Sequence, residues 1–480
     1  MHMSVILRVT GVLLTLFSVA ILAPALVAII YSENTVGLFV TAFCITFAAG
    51  AILWLSGRGE AELRARDGFL VTVLFYLSLG LFGAIPIYLA PGIADNFTDA
   101  AFESLSGLTT TGATVIVGLD ELPKSILFYR QLLQWLGGMG IIVLAVAILP
   151  MLGIGGMQLY RAESPGPVKD KLTPRITETA KALWYLYLGL TIVCGFCYWL
   201  VGMEPFDALC HAFSTVAIGG FSTHDASLGF FDNAGVEIVA IVFMVVSGIN
   251  FGLHFLAWQQ KNPLHYFRDI EVRFYLFALA AIAVIVSYTL AQHPGVSEHP
   301  IRDGIFQAVS ITTTTGFTTS DFSQWPSLTP VLLLFAAFAG GCAGSTAGGI
   351  KMMRVLLILR QGMREIKRLI HPNGVFPVKL GGKVVPDRVV DAVWGFFAFY
   401  VILFLGMVCV MMGLSDVDFV TAFSAIGACL NNLGPGLGDV ALNYAALDPA
   451  AKWLLILAML LGRLEIFTLL VLLTPAYWRS

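Results

Sequence analysis

Charge is scarce in this sequence. Only 12% of its 480 residues are charged, against 58% hydrophobic, and the mean hydropathy is +0.85. A soluble domain carries about 25% charged residues, so the composition excludes a soluble enzyme or adaptor and indicates an integral membrane protein. A net charge of −3 gives no sign of a nucleic-acid partner. The seven cysteines are scattered, mostly in apolar stretches, and the histidines lack metal-like spacing. Neither a disulfide framework nor a zinc site is readable. GxSxG, HExxH and the dinucleotide fingerprint are missing too. An enzyme is therefore not expected, nor a tightly bound cofactor, and any nucleotide sensing must come from another chain.

Long apolar runs, by contrast, are abundant. A span needs about 20 mostly apolar residues. Candidates lie near 5–31, 36–56, 68–90, 125–153, 179–202, 233–258, 272–292, 327–360 (interrupted), 389–413 and 450–475, ten in all. Lys and Arg are sorted among the connections. The stretches 57–67, 160–181, 259–273 and 354–388 hold 19 of the 27 basic residues, starting with Arg58, Arg64 and Arg66 and including Arg161, Lys169, Lys171, Arg175 and Lys181. The alternate connections hold Lys124, Arg130, Arg302 and Lys452. By the positive-inside rule the basic connections and both termini are cytoplasmic.

Each charge-poor connection carries a related stretch: "FTDAAFESLSGLTTTGATV", "PFDALCHAFSTVAIGGFST", "IRDGIFQAVSITTTTGFTT" and "DVDFVTAFSAIGACLNNLGPGL". Aligning Asp99, Asp207, Asp303 and Asp418 gives copies 108, 96 and 115 residues apart. The chain reads as a two-span preface (1–57) followed by four span–loop–span repeats (67–160, 178–260, 270–370 and 388–480). The expected fold class is an all-α polytopic membrane protein with ten spans and four re-entrant loops in pseudo-fourfold array.

After each aspartate come about ten helix-compatible residues, about 15 Å at 1.5 Å each, half the hydrocarbon thickness. Such a segment enters a membrane without crossing it. Irregular backbone at that depth survives only when buried in protein or lining water, so four such loops around one axis form a pore entrance. Carbonyls of an extended Thr-Thr-Gly segment can replace the water shell of a cation, and no acidic ring appears that would favour calcium or magnesium. The expected filter residues are Thr110, Thr111, Gly112, Ile218, Gly219, Gly220, Thr314, Thr315, Gly316, Leu430 and Asn431. The fourth copy lacks threonines, and a register anchored elsewhere places Gly434 at the key position.

Two further features stand within spans. Gly340, Gly341, Gly344, Gly348 and Gly349, with Ser345 and Thr346 among them and Lys351 just after, crowd the eighth. Glycine weakens a helix by about 1 kcal/mol each. The cluster is either a break in mid-membrane, making a hinged obstruction beneath the filter, or a surface for close helix packing. Arg463 and Glu465 lie in the tenth span, where charge faces a water-filled cavity or a partner. Arg463 is either an electrostatic barrier lining the pore or half of an ion pair with another span.

These units, with "YRQLLQWLGGMGIIVLAVAILP", "AIGGFSTHDAS", "TTTTGFTT" and "LNNLGPGLG", resemble the Trk/Ktr/HKT superfamily of potassium transporters over nearly the whole chain. The leading spans and the length look like its bacterial membrane subunits. The resemblance implies potassium ions as transported substrate, a homodimer in the bacterial inner membrane, and a cytosolic TrkA-like ring that senses ATP/ADP or NAD(H). It also supports the obstructing loop, and an arginine in the place of Arg463 is familiar there. In related plant transporters a serine at the first filter glycine goes with sodium transport, so Gly112 favours potassium. The alternative is a secondary transporter, such as sodium- or proton-coupled potassium symport. Such folds often use inverted repeats, whereas all four loops here enter from one side.

Overall fold

In the computed structural model the described residues are 3–57, 65–143, 172–326 and 328–479. Arg58, Arg64, Arg161, Lys169 and Lys171, and the end of the fourth expected span, lie outside them. Among the described residues six helices are long and apolar enough to cross a membrane: Met3–Ile30, Val36–Ser56, Arg66–Leu89, Ala180–Leu200, Ile270–Ala291 and Asp387–Leu414. Two bent pairs, Ala234–Ser247 with Phe251–Gln259 at 90° and Pro449–Arg463 with Phe467–Leu473 at 114°, raise the count to as many as eight. At the fourth expected span the described residues hold the helix Lys124–Val143. At the eighth, two helices, Thr329–Ala339 and Met352–Ile370, flank a non-helical segment. Besides helices, a two-stranded hairpin pairs Lys379–Leu380 with Lys383–Val384, a small departure from an all-α fold. Cys194 and Cys197, three apart on one helix, are both free thiols.

Four short helices fill the interior between these long ones: Phe97–Leu108, Pro205–Ala217, Pro300–Thr312 and Phe419–Leu430. Each packs against the long helix that precedes it. Their 12 or 13 residues make about 18–20 Å of helix. Local chemistry starts them. Asn96 and Asp418 accept hydrogen bonds from the N–H groups of Asp99 and Thr421, at 3.0 and 2.9 Å, and cap the first and fourth. Pro205 and Pro300 open the other two, where a missing N–H costs nothing. The inner halves are buried on every side, Gly304 and Phe306 through Thr312 in the third among them.

Candidate ion pathway

All four short helices stop in the same way. The N–H groups of Thr111, Gly219, Thr315 and Leu433 donate to the carbonyls of Ser106, Ser214, Ser310 and Ala428, five residues back, at 2.8–2.9 Å. This is the six-to-one closure of a helix C-terminus, which requires a left-handed residue just before the donor. Those residues are Thr110, Ile218, Thr314 and Asn432, with φ between 53° and 64°. Glycine normally fills such a place. A β-branched side chain there is strained by about 1–2 kcal/mol, and strain of this kind collects where backbone geometry has a task.

Two residues further on, the chains meet. Gly112, Gly220, Gly316 and Gly434 all have positive φ, from 79° to 94°. A Cβ on Gly112 would lie 2.1 Å from the Gly219 carbonyl oxygen. The corresponding distances are 2.0 Å from Gly220 to the Thr315 oxygen, 2.1 Å from Gly316 to the Leu433 oxygen and 2.7 Å from Gly434 to the Thr111 oxygen. Each glycine is thus pressed against a carbonyl of the segment that follows the next short helix, and the fourth closes on the first. The four glycines also line one cavity of about 70 Å³. Thr110, Thr111, Gly112, Ile218, Gly219, Gly220, Thr314, Thr315 and Gly316 are brought together in this ring.

Leu430 and Asn431 are not part of it. Leu430 ends the fourth short helix and Asn431 stands one position before the left-handed residue, so the equivalent triplet is Asn432, Leu433 and Gly434. The aspartate anchor misleads for a physical reason. Asp99, Asp207 and Asp303 lie inside the first turn of their helices, whereas Asp418 precedes its helix as the cap. It therefore corresponds to Asn96, and the register shifts by three.

Side chains from other helices brace the ring. Gln134 Nε2 donates to the Gly219 carbonyl at 2.6 Å, and Oε1 accepts from Phe221 N–H and Ser214 Oγ. Arg130 and Glu103 form an ion pair of 2.7 Å with both side chains at most 1% exposed. Arg130 reaches the Ser222 carbonyl, and Glu103 takes the N–H of Val115 and the hydroxyl of Thr114. One pair so ties the segments after Gly112 and Gly220 together. Asn432 Nδ2 bonds Thr111 Oγ1 at 3.0 Å, and the Tyr444 hydroxyl donates to the Gly434 carbonyl. Nearer the surface, His224 bridges Asp120 and Asp207. Burial opposes its charged form, but the Asp207 and Asp120 carboxylates outweigh that, and its pKa is raised above 6.5. No role for Glu103, Arg130 or Gln134 follows from repeat spacing. The available signal was cost, since charge within an apolar stretch must face protein or water.

Beneath the ring lies the segment 340–351. Gly348 N–H donates to Thr314 Oγ1 at 2.7 Å and Gly349 N–H to the Asn431 carbonyl at 3.1 Å. The backbones are so close that a Cβ on Gly348 would fall 1.9 Å from the Asn431 oxygen. Thr346 Oγ1 reaches the Val216 and Ser247 carbonyls. Gly340, at φ 66°, ends the helix against the Gly348 carbonyl, and Gly344 turns beside Asn250. Ser345 Oγ bonds the Cys342 carbonyl, and Gly341 packs near the Gly248 carbonyl. Lys351 is buried, with its ammonium on the Ala347 carbonyl. A non-helical segment does not make a helix-packing surface, so that reading of the glycines falls.

Arg463 joins this segment from the side. Nη1 donates to the Thr346 carbonyl at 3.0 Å and Nη2 to the Gly137 carbonyl at 3.3 Å. Among the described residues no carboxylate pairs with it. The ion pair belongs instead to Glu465, with Arg354. Arg463 is 3% exposed, and among the described residues its charge meets the Thr346 and Gly137 carbonyls and the Tyr76 side chain rather than a carboxylate.

Comparison with known proteins agrees with this frame. The TrkH family model, described as a cation transport protein, matches residues 37–480. The Trk system potassium uptake protein TrkH of Vibrio parahaemolyticus is 56% identical over 99% of both chains, and that of Escherichia coli K12 is 51% identical over both full lengths. The fold superposes on the crystal structure of the potassium transporter TrkH from Vibrio parahaemolyticus with a TM-score of 0.93 at 52% identity, covering all of both chains. These relatives are transport proteins and not enzymes, and the chain belongs to the TrkH family of cation transport proteins, multi-pass membrane proteins with a mostly helical fold.

Proposed function

We propose that this chain takes up potassium, and that the ion crosses at the ring of Gly112, Gly220, Gly316 and Gly434. The observation that carries this reading is the ring's closure: four backbones from four repeats, each glycine against the next repeat's carbonyl. Carbonyls held at close quarters can stand in for the water shell of a dehydrated cation. The C-terminal ends of four short helices add partial negative charge. The Vibrio parahaemolyticus and Escherichia coli relatives are potassium uptake proteins, which supports the choice of ion. No cofactor is part of the proposal.

The wider reading keeps ten spans and four re-entrant loops, with a preface at 1–57 and repeats at 67–160, 178–260, 270–370 and 388–480. It keeps a bacterial inner membrane, cytoplasmic termini and a homodimer. The segment 340–351 closes the path below the ring, with Arg463 as a cationic barrier beside it. A TrkA-like cytosolic nucleotide-binding ring then acts on the chain from outside the membrane. Tracer rubidium uptake into liposomes holding the purified protein tests the proposal. Uptake that potassium competes and sodium does not is expected, and uptake no greater than in empty vesicles would sink it. Uptake that collapses without a proton or sodium gradient would assign the chain to coupled symport instead.

A further inference from the structure

We infer that Glu271 is the anchor through which movement of the helix Met352–Ile370 reaches the segment beneath the ring. The inference rests on reading that segment as a closure. Glu271 stands in the first turn of Ile270–Ala291, whose cap is already supplied by Asp269, which accepts from Val272 N–H at 3.0 Å. Its carboxylate is therefore not needed by its own helix. It turns to the segment instead, and Oε1 accepts from the N–H of Ala343 at 2.7 Å and of Met353 at 3.0 Å.

Those two donors lie on opposite arms of the segment. Between them Met352 N–H donates to the Gly341 carbonyl at 3.0 Å and pulls the arms into a neck. Past the neck, Thr346, Gly348 and Gly349 make the contacts under the ring. Glu271 is 3% exposed and finds no side-chain cation within ion-pair distance among the described residues. Both hydrogen bonds converge on one side-chain oxygen, and they hold a backbone made flexible by glycine. Met353 is at the start of its helix, so an outward shift of that helix takes its N–H off Glu271 and frees the neck. Glu271 is a positioning residue: it does not touch the ion.

The test compares Glu271→Ala, Glu271→Gln and deletion of residues 344–348 in liposomes without any cytosolic partner. Two readouts are taken, rubidium flux and the rate at which a charged thiol reagent modifies buried Cys342, resolved by peptide mass. Glu271→Ala is expected to raise both about tenfold, and Glu271→Gln, which keeps an acceptor oxygen without the charge, by less. If the deletion conducts while both Glu271 variants keep parental flux and labelling, the anchor role is overturned and the closure stands. If the deletion also stays at background, the closure itself fails. Should Glu271→Ala not yield intact protein, unchanged flux and labelling in Glu271→Gln alone overturn the role.

Discussion

Replacing Gly112 by serine tests the ring at one of its close contacts. A Cβ there starts 2.1 Å from the Gly219 oxygen, and real contacts do not fall below 3.0 Å, so the two backbones must part by at least about 0.9 Å. The oxygen is not free to yield. Gln134 Nε2 holds it at 2.6 Å, and the same amide grips Phe221 N–H and Ser214 Oγ. A side chain at φ 79° adds about 1–2 kcal/mol of left-handed strain, and a broken hydrogen bond about 0.5–1.5 kcal/mol. If about 1.4 kcal/mol of this falls on the difference between potassium and sodium, the preference drops about tenfold. The assay is the flux ratio of rubidium to sodium in liposomes with matched recovery of protein. Gly118→Ser supplies the control, because its φ is 80° yet nothing lies within 4 Å of the added atom. It should lower the melting temperature and leave the ratio unchanged. A Gly112→Ser protein with parental melting and an unchanged ratio would refute the reasoning.

Arg463→Ala should raise flux severalfold, since two unit charges 4 Å apart interact by about 4 kcal/mol at an effective dielectric of 20; a variant that melts early and conducts no better would assign the arginine to structure alone. Arg130→Met strands the Glu103 carboxylate in a site with 0% exposure, so it should cost about 3–5 kcal/mol, read as a lost or greatly lowered melting transition. In Arg130→Met with Glu103→Gln most of that loss should return. Because the folded pKa of His224 is raised, its contribution to stability is fully present below about pH 6.5 and fades as pH climbs through the folded value. His224→Ala should therefore lower the melting temperature more at pH 6 than at pH 9, and an equal loss at both would exclude a charged bridge to Asp120 and Asp207.

What the sequence reveals follows from which interactions are local. The spans show because crossing lipid needs a long apolar run, and helix bonding stays within the segment. Among the described residues six helices and two bent pairs satisfy that test. The short helices could be read from length and from turn residues, and the first three triplets from their constant distance after Asp99, Asp207 and Asp303. The fourth register escaped because one residue type does two jobs: Asp418 caps its helix, while Asp99 lies a turn further in. A cap and a first-turn carboxylate look alike in sequence. Nor could spacing reveal that Thr110, Ile218 and Thr314 adopt left-handed backbone against their own preference, since tertiary closure imposes it. The braces were hidden for a third reason. Gln134 meets Gly219 across 85 residues and Glu103 meets Arg130 across 27, and nothing in a single chain encodes such pairings except the improbability of leaving those groups unpaired in an apolar setting.

The central claim is that a monovalent cation rests within the ring. Anomalous diffraction from crystals grown with rubidium or thallium in place of potassium tests it most directly. The account predicts a peak on the axis enclosed by Gly112, Gly220, Gly316 and Gly434, lost when sodium replaces the heavier ion. Peaks confined to the protein surface, or a peak centred at Asn431 with none at the glycines, would contradict it.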